Sequence, residues 1–299
     1  MSARPRPREA GGMPETVVCA VSAEEDERTA QVAAGLSGAL GIPLVVVHVT
    51  GEDADPREGE RTLRIAAARV GGGPGVETRL RSGHPALEIV ATAAAERAVV
   101  VVVGSRGRGL LRQAAMPGVS AVVMARSPSP VVVVPPEVHE LALATPAPDA
   151  PEPSLVCGVD GSESAATALR TAGRLADALG LRLVAAHVLD PGAGMVPSPQ
   201  GIVAVEFEDL LERERRDAIR LLRSSLERVP GAGPRELRLV QGATAEGLER
   251  LAVEERARLV AVGTSGSGRS PRRAALLGST ALRLAACAPV PVLVARPRR

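Results

Sequence analysis

The 299-residue chain contains no Lys, no Asn, no Trp and no Tyr, and its one Phe is Phe207. Without Lys there can be no P-loop lysine, no kinase lysine and no Schiff-base nucleophile. With one aromatic ring there is no base-stacking platform of the kind that single-strand nucleic-acid binders use. Charge of one sign is also missing: 36 Arg and Lys against 34 Asp and Glu leave a net +2, too little to select nucleic acid or an anionic membrane as partner. Cys19, Cys157 and Cys287 are odd in number, so they form no even disulfide framework, and none lies in a CxxC pair or near a metal-spaced His. They read as small buried hydrophobes in a reducing compartment. The longest apolar run, from Ala98 to Val103, falls far short of the roughly 20 residues that span a bilayer. The first residues, Met1 to Arg8, are basic but lack the apolar core of a signal peptide. A soluble cytoplasmic protein is expected.

What is present is a globular balance, 45% hydrophobic and 23% charged, on a chain long enough for two domains. The chain repeats itself. Val17–Val21 matches Leu155–Val159, Leu44–Val49 matches Leu183–Val188, and Arg79–Gly83 matches Arg238–Gly242. Val99–Gly104 then matches Arg258–Gly263, and Pro130–Val134 matches Val290–Val294. Five matches in one order identify an internal duplication. The offset grows after the second strand, where the second copy carries Pro191 to Gly201 and then a long charged helix, about Glu206 to Arg228, that the first copy mostly lacks. The stretch from Pro135 to Pro153 is rich in Pro, Ala and acid and reads as an exposed linker. The expected organisation is a disordered tail over 1–13, a first domain over 14–136, a linker over 137–153 and a second domain over 154–297.

Each matched block is a short β-branched run without polar alternation, the pattern of a strand buried on both faces. Helical patterns lie between the runs: Gln31 to Leu40 before Gly41, Glu246 to Glu255, and a helix capped by Ser162 and closed by Gly180. Strand–helix alternation predicts an α/β fold of two tandem doubly wound domains, each a five-stranded parallel sheet with helices on both faces. Such sheets bind ligands outside the carboxyl ends of their strands. In the second copy those ends offer Asp160-Gly-Ser162, His187-Val-Leu189 and the run Gly263-Thr-Ser-Gly-Ser-Gly-Arg-Ser270, and the next helix opens at Gly278-Ser-Thr280. Glycine amides and a helix N-terminus together suit a phosphate without any lysine, and a carboxylate opposite suits ribose hydroxyls or a metal.

These residues resemble the universal stress protein family in tandem form, over the whole chain except tail and linker. The resemblance implies an adenine nucleotide alpha hydrolase-like fold. It also implies a glycine motif, G-x2-G-x9-G-(S/T), that wraps the ribose and phosphates of ATP, with Mg2+ as companion ion. Carried over residue by residue, it assigns nucleotide binding to Asp160, Val188, Val262, Gly263, Gly266, Gly278, Ser279 and Thr280. Val188 would meet adenine through its backbone, and Asp160 would lie on the ribose side. Eleven residues instead of nine separate Gly266 from Gly278, and the longer loop carries Arg269, Arg272 and Arg273. The first copy departs further: Ser22 stands in the place of Asp160, Gly104 and Gly107 persist, Pro117-Gly118 replaces Gly-Ser, and Glu24 to Glu27 add carboxylates at the first helix. It is expected to bind nucleotide weakly or not at all and to act as a structural partner, docked on the second copy through the fifth strands, with further pairing of chains into a homodimer left open.

The remaining candidates have simpler readings. His48 and His187, at matching strand ends, read as histidines positioned by their neighbours, since no second metal ligand is spaced with them. His84 reads as a loop residue and His139 as solvated. Ser162 lacks a GxSxG elbow and reads as an N-cap. Arg106 and Arg108 read as loop residues. No general base is evident, so no catalytic residue is assigned. The functional expectation is a stress-associated regulator that holds ATP in the second repeat. The rivals are a nucleotide-free interaction module of the same fold and a slow ATPase or nucleotidyl-transfer relative.

Overall fold

The computed structural model describes residues 15–22, 27–71, 75–105, 118–136, 138, 152–189, 204–266 and 277–297, the side chains of 204–210 excepted. The first copy contributes β1 (Thr16–Ala20), α1 (Glu27–Leu40), β2 (Leu44–Thr50), α2 (Pro56–Arg69), β3 (Val76–Ser82), α3 (Pro85–Ala95), β4 (Ala98–Gly104), α4 (Val119–Arg126) and β5 (Val131–Val134). The second contributes β6 (Ser154–Gly158), α5 (Glu163–Leu179), β7 (Arg182–Leu189), α6 (Ala204–Glu227), β8 (Arg235–Gln241), α7 (Thr244–Glu254), β9 (Ala257–Gly263), α8 (Ser279–Cys287) and β10 (Val292–Ala295). The expected alternation of strand and helix holds in both copies. One expectation changes: the first copy also has a helix after its second strand. Asp55 caps α2 by accepting from the Arg57 amide at 2.9 Å, and Pro56 fits the first helical turn. It runs 14 residues against 24 in α6, so the copies differ there in length.

Within each copy all strand pairs are parallel. The order is β3-β2-β1-β4-β5 in the first and β8-β7-β6-β9-β10 in the second. The central strands alternate between two cores, as period-2 geometry requires. Val17, Cys19, Val100 and Val102 face one core with Val32 and Leu36 of α1, while Val18, Val101 and Val103 face the other with Ile89 of α3 and Met124 of α4. Both faces are covered, which is why these runs carry no polar alternation. The helix stop at Gly180 needs glycine: its φ is +64°, in the left-handed region. Arg97 and Arg256 both reach φ +50° at matching turns, so the duplication extends to an uncommon backbone conformation.

The two five-stranded halves form one ten-stranded sheet, because β5 and β10 pair antiparallel. The carbonyls of Pro130 and Pro291 accept equivalent bonds, from Val101 and Val260. Pro130 therefore corresponds to Pro291, one position beyond the match expected from sequence. In that frame Val132 and Leu293 are equivalent, and they face each other across the join, so a pseudo-two-fold axis passes between them. Apolar edges that would otherwise invite foreign strands satisfy each other. Across the same join α1 packs on α5, and Arg296 donates to the Ala125 carbonyl. Cys19 and Cys157 are buried as expected, but Cys287, which ends α8, is exposed, between Leu284, Ala285 and Ala286 before it and Ala288 after it, all of which are buried. Among the described residues no helix is long and apolar enough to cross a membrane.

At the amino ends of the second copy's strands, Arg182, Glu236, Arg238 and Glu255 close a ring of four ion pairs, from 2.6 to 3.0 Å. The first copy has two of these pairs, Arg79 with Glu77 and Arg79 with Glu96, with Pro43 in the place of Arg182. Burial pushes the Glu236 carboxyl up, but the hydrogen bonds from Arg182 and Arg238 outweigh it and hold the group below the ordinary glutamate value. A depressed carboxylate stabilises the fold above its unfolded pKa of about 4.3 and loses that contribution as pH falls through the folded value.

Two outcomes follow for chemical denaturation. Glu236→Gln should lower stability at pH 7 by about 0.5–1 kcal/mol, given its partial exposure, and the gap to wild type should shrink as pH drops below about 4. Leu293→Ala, at a position that is 0% exposed on the pseudo-axis, should cost about 2–5 kcal/mol, whereas Leu87→Ala at 44% exposure should stay within about 0.5 kcal/mol.

Candidate functional site

The parallel strands of the second copy end on one rim, and a cavity of about 370 Å³ opens there. Its apolar wall comes from the strands and α7: Val188 and Ala186 on β7, Val262 on β9, Gly158 on β6, and Leu248 on α7. Its polar side comes from the strand ends and turns: Asp160 after β6, Gly263 at the end of β9 with Ser265 and Gly266 after it, and Ser279 and Thr280 in the first turn of α8. All eight residues expected to serve the site, Asp160, Val188, Val262, Gly263, Gly266, Gly278, Ser279 and Thr280, line this single cavity. Residues 267–276 of the longer loop, with Arg269, Arg272 and Arg273, lie outside the described residues, as do the tail 1–13, linker residues 137 and 139–151 with His139, the stretch Pro191 to Gly201, Glu24 to Asp26, Arg106, Gly107, Arg108 and Pro117.

Three local features build the polar side. The Asp160 carboxylate accepts from the Ser162 amide at 3.0 Å, which sets the turn into α5. Its other oxygen faces Gly266, where a Cβ would come within 3.0 Å, so the acid and the glycine loop stand against each other. Gly263 is required by close approach: a Cβ there would lie 2.4 Å from Ser164 Oγ and 2.7 Å from the Ala165 nitrogen. Gly278 opens α8 as its N-cap without any side-chain cap. The amides that follow a bare cap have no intrahelical acceptor, and the helix dipole adds positive potential at that end. Gly278 also donates its own N–H to the Thr264 carbonyl at 2.7 Å, which joins α8 to the loop after β9.

Ser162 is the N-cap expected of it, accepting from the Ala165 amide at 3.1 Å. His187 Nδ1 stands 2.7 Å from the Val159 carbonyl and His48 Nδ1 stands 2.8 Å from the Val21 carbonyl. A carbonyl only accepts, so each ring carries its proton on Nδ1 in the neutral form. Both histidines are thus positioned by the same main-chain contact, and His187 in addition lines the cavity. His84 is the N-cap position of α3 and makes no side-chain cap bond. Burial raises the Cys157 thiol, and the Asp160 charge raises it further, so it stays protonated and inert at neutral pH.

Sequence reasoning did not assign Thr244, Leu248, Ala165, Ser265 or Ala281, which also line the cavity. Thr244 and Leu248 sit on α7, more than fifty residues beyond His187, and only the packing of α7 against β7 and β9 brings them in. One signal was available: their helix follows the glycine turn that ends β8. Beside them Arg283 on α8 pairs with Glu246 at 2.9 Å and approaches Glu249 at 4.0 Å. Burial raises the Glu249 carboxyl, with Glu246 also raising it and Arg283 lowering it.

The sequence profile of the universal stress protein family matches residues 13–135 and again 154–296. A universal stress protein of Thermus aquaticus, named for the region 3′ of a QAH/OAS sulfhydrylase, is 32% identical over 145 residues, which is 48% of this chain and 98% of that protein. Several solved structures match along almost the whole length, among them the following two. A universal stress protein from Archaeoglobus fulgidus DSM 4304 has a TM-score of 0.62 at 19% identity, over 94% of this chain and 96% of that one. A protein of Pseudomonas aeruginosa PAO1 described as functionally unknown has a TM-score of 0.67 at 16% identity, over 95% and 93%. At these identities the two structures establish the fold alone, whereas the paired profile matches cover most of the sequence, so the chain belongs to the universal stress protein family as a tandem, two-domain member.

Proposed function

We propose that the second repeat binds an adenine nucleotide, ATP with Mg2+, and that the chain is a cytoplasmic stress-associated regulator, not a metabolic enzyme. The observation that carries this reading is the convergence of an acid, a glycine loop and an uncapped helix start on one cavity with an apolar wall. The apolar wall of Val188, Val262, Leu248 and Ala186 suits a flat base. Asp160 suits ribose hydroxyls, as an acceptor-only group when ionised. The amides of Gly266, Ser279 and Thr280 suit phosphate oxygens, with the dipole of α8 adding to them. This donor set matches a ligand that is apolar at one end, hydroxylated in the middle and anionic at the other. Asp160 is the single carboxylate among the described lining residues, and it offers oxygen ligation to a hard cation such as Mg2+.

In this reading the domains are 14–136 and 154–297, joined by the linker 137–153, and the first is a structural partner. Ser22 there cannot supply the anionic acceptor that Asp160 supplies. Among the described lining residues this reading gives Asp160, the one carboxylate, to the ribose, and His187 is tied through Nδ1 to the Val159 carbonyl, which favours binding over turnover.

Calorimetry with Mg-ATP tests this. Wild type should bind, and Asp160→Ala should weaken binding about tenfold or more, the loss expected for one hydrogen bond to a charged or polyhydroxylated ligand. A Ser279→Ala, Thr280→Ala double variant should also bind more weakly. Undiminished affinity in all variants would remove the site from this cavity. A wild type that binds no nucleotide would favour the interaction-module reading, and turnover lost with Asp160→Ala would favour an enzyme.

A further inference from the structure

Ser164 is buried to 2% exposure in the first turn of α5, and nothing above assigns it a role. Its hydroxyl makes two bonds to one residue 101 positions away. It donates to the Ser265 carbonyl at 2.5 Å and accepts from the Ser265 amide at 3.4 Å. Ser162 stands beside it, with its Oγ 3.2 Å from Ser164 Oγ and 3.2 Å from the same carbonyl.

These contacts orient two consecutive peptide planes. Among the described residues every peptide bond is trans, and in a trans peptide C=O and N–H point to opposite sides. In the plane between Thr264 and Ser265, the N–H turns toward Ser164 and the carbonyl turns the other way, where it accepts from Gly278. In the plane between Ser265 and Gly266, the carbonyl turns toward the two serines of α5. The Gly266 N–H therefore points away from the two serines of α5, and Gly266 is itself one of the residues that line the cavity.

We propose that Ser164 is a positioning residue of the site: its hydroxyl turns the Gly266 amide toward the phosphate end of the ligand and ties the glycine loop to α5 while Gly278 ties it to α8. The inference rests on the nucleotide reading above. It also accounts for the divergence of the first copy. The frame between copies is 138 residues at Cys19 and Cys157 and 139 at His48 and His187. The place of Ser164 thus falls to Asp26 or Glu25, and both are carboxylates. An ionised carboxylate accepts and cannot donate, so neither can hold a loop carbonyl as Ser164 does. Loss of the donor here and of the acid at Ser22 disables both ends of one site.

Two measurements on the full chain test the proposal. The first is amide hydrogen exchange of the nucleotide-free protein. Ser164→Ala should speed exchange of the Ser265 amide about tenfold or more, and Ser164→Thr, which keeps the hydroxyl, should restore protection. The second is calorimetry with Mg-ATP and with adenosine. Ser164→Ala should weaken ATP about tenfold, the effect of one lost donor to a charged group, and leave adenosine within twofold. If Ser164→Ala does not fold, Ser164→Cys replaces it, keeping size but weakening the donor, with a smaller loss for ATP alone. Equal losses for ATP and adenosine would reduce Ser164 to a packing role and overturn the proposal. So would unchanged ATP affinity, or unchanged Ser265 exchange. A wild type that binds neither ligand would overturn the nucleotide reading and the functional half of this inference with it. That failure is recognisable because the exchange experiment uses no nucleotide.

Discussion

The contact of the α5 N-terminus with the end of β9 is the constraint from which the second repeat's rim is built. It exists because residue 263 has no side chain: a methyl group there would collide with Ser164 and with the backbone of Ala165. With that clearance, α5 starts directly against the strand end. Its first turn can then hold the Ser265 carbonyl, and the Asp160 turn that precedes it stands over Gly266. The Thr264 carbonyl is left facing Gly278 and receives its N–H. One absent Cβ thus allows three elements that are distant in sequence to share one cavity. Glycine at this strand end serves helix packing first, and its benefit to a ligand comes through the neighbours that the packing brings in.

The duplication places the same scaffold twice and finishes it differently. The strands, the helix stops at Gly41 and Gly180 and the histidine-to-carbonyl contacts recur in both copies. What differs sits at the ends of the strands. At the amino ends, the second copy closes a ring of four charges where the first holds three. At the carboxyl rim, the second copy has Asp160 and the hydroxyls of Ser162 and Ser164, where the first has Ser22 and acids. On the helices beside the cavity, Glu246, Glu249 and Arg283 form an ion cluster where the first copy has Leu87, Val90 and Val122. Packing against the sheet restrains the buried residues of both copies alike, while the rims are free to diverge because few core contacts depend on them.

Much of this is legible in the amino-acid sequence. The β-branched runs that recur in one order marked ten strands, because a strand covered on both faces has no polar alternation to blur it. The caps at Ser162 and Gly180 marked α5, because their roles depend on neighbours within four residues. Asp160, Gly263, Gly266 and Gly278 were legible through their resemblance to a spaced motif, since all lie where a strand gives way to a helix. The helix α2 is faint in the sequence: its buried apolar side chains are only Leu63 and Ala66, and its first half is mostly arginine and glutamate. The exposure of Cys287 was missed because a small apolar residue at a helix end carries no local mark of which way it faces.

The amino-acid sequence by itself determined the fold class, the duplication and the strand-end positions at which a ligand could meet the chain. These follow from periodicity and turn chemistry, which act over a few residues. Only the tertiary structure decided that β5 and β10 would join the halves about the Val132–Leu293 pair, that Thr244 and Leu248 would wall the cavity, and that Ser164 would hold Ser265. Those contacts cross from about 60 to 160 positions of chain, and no local rule reaches that far. They are selected when a whole sheet fills its two cores and each buried polar group must find a partner.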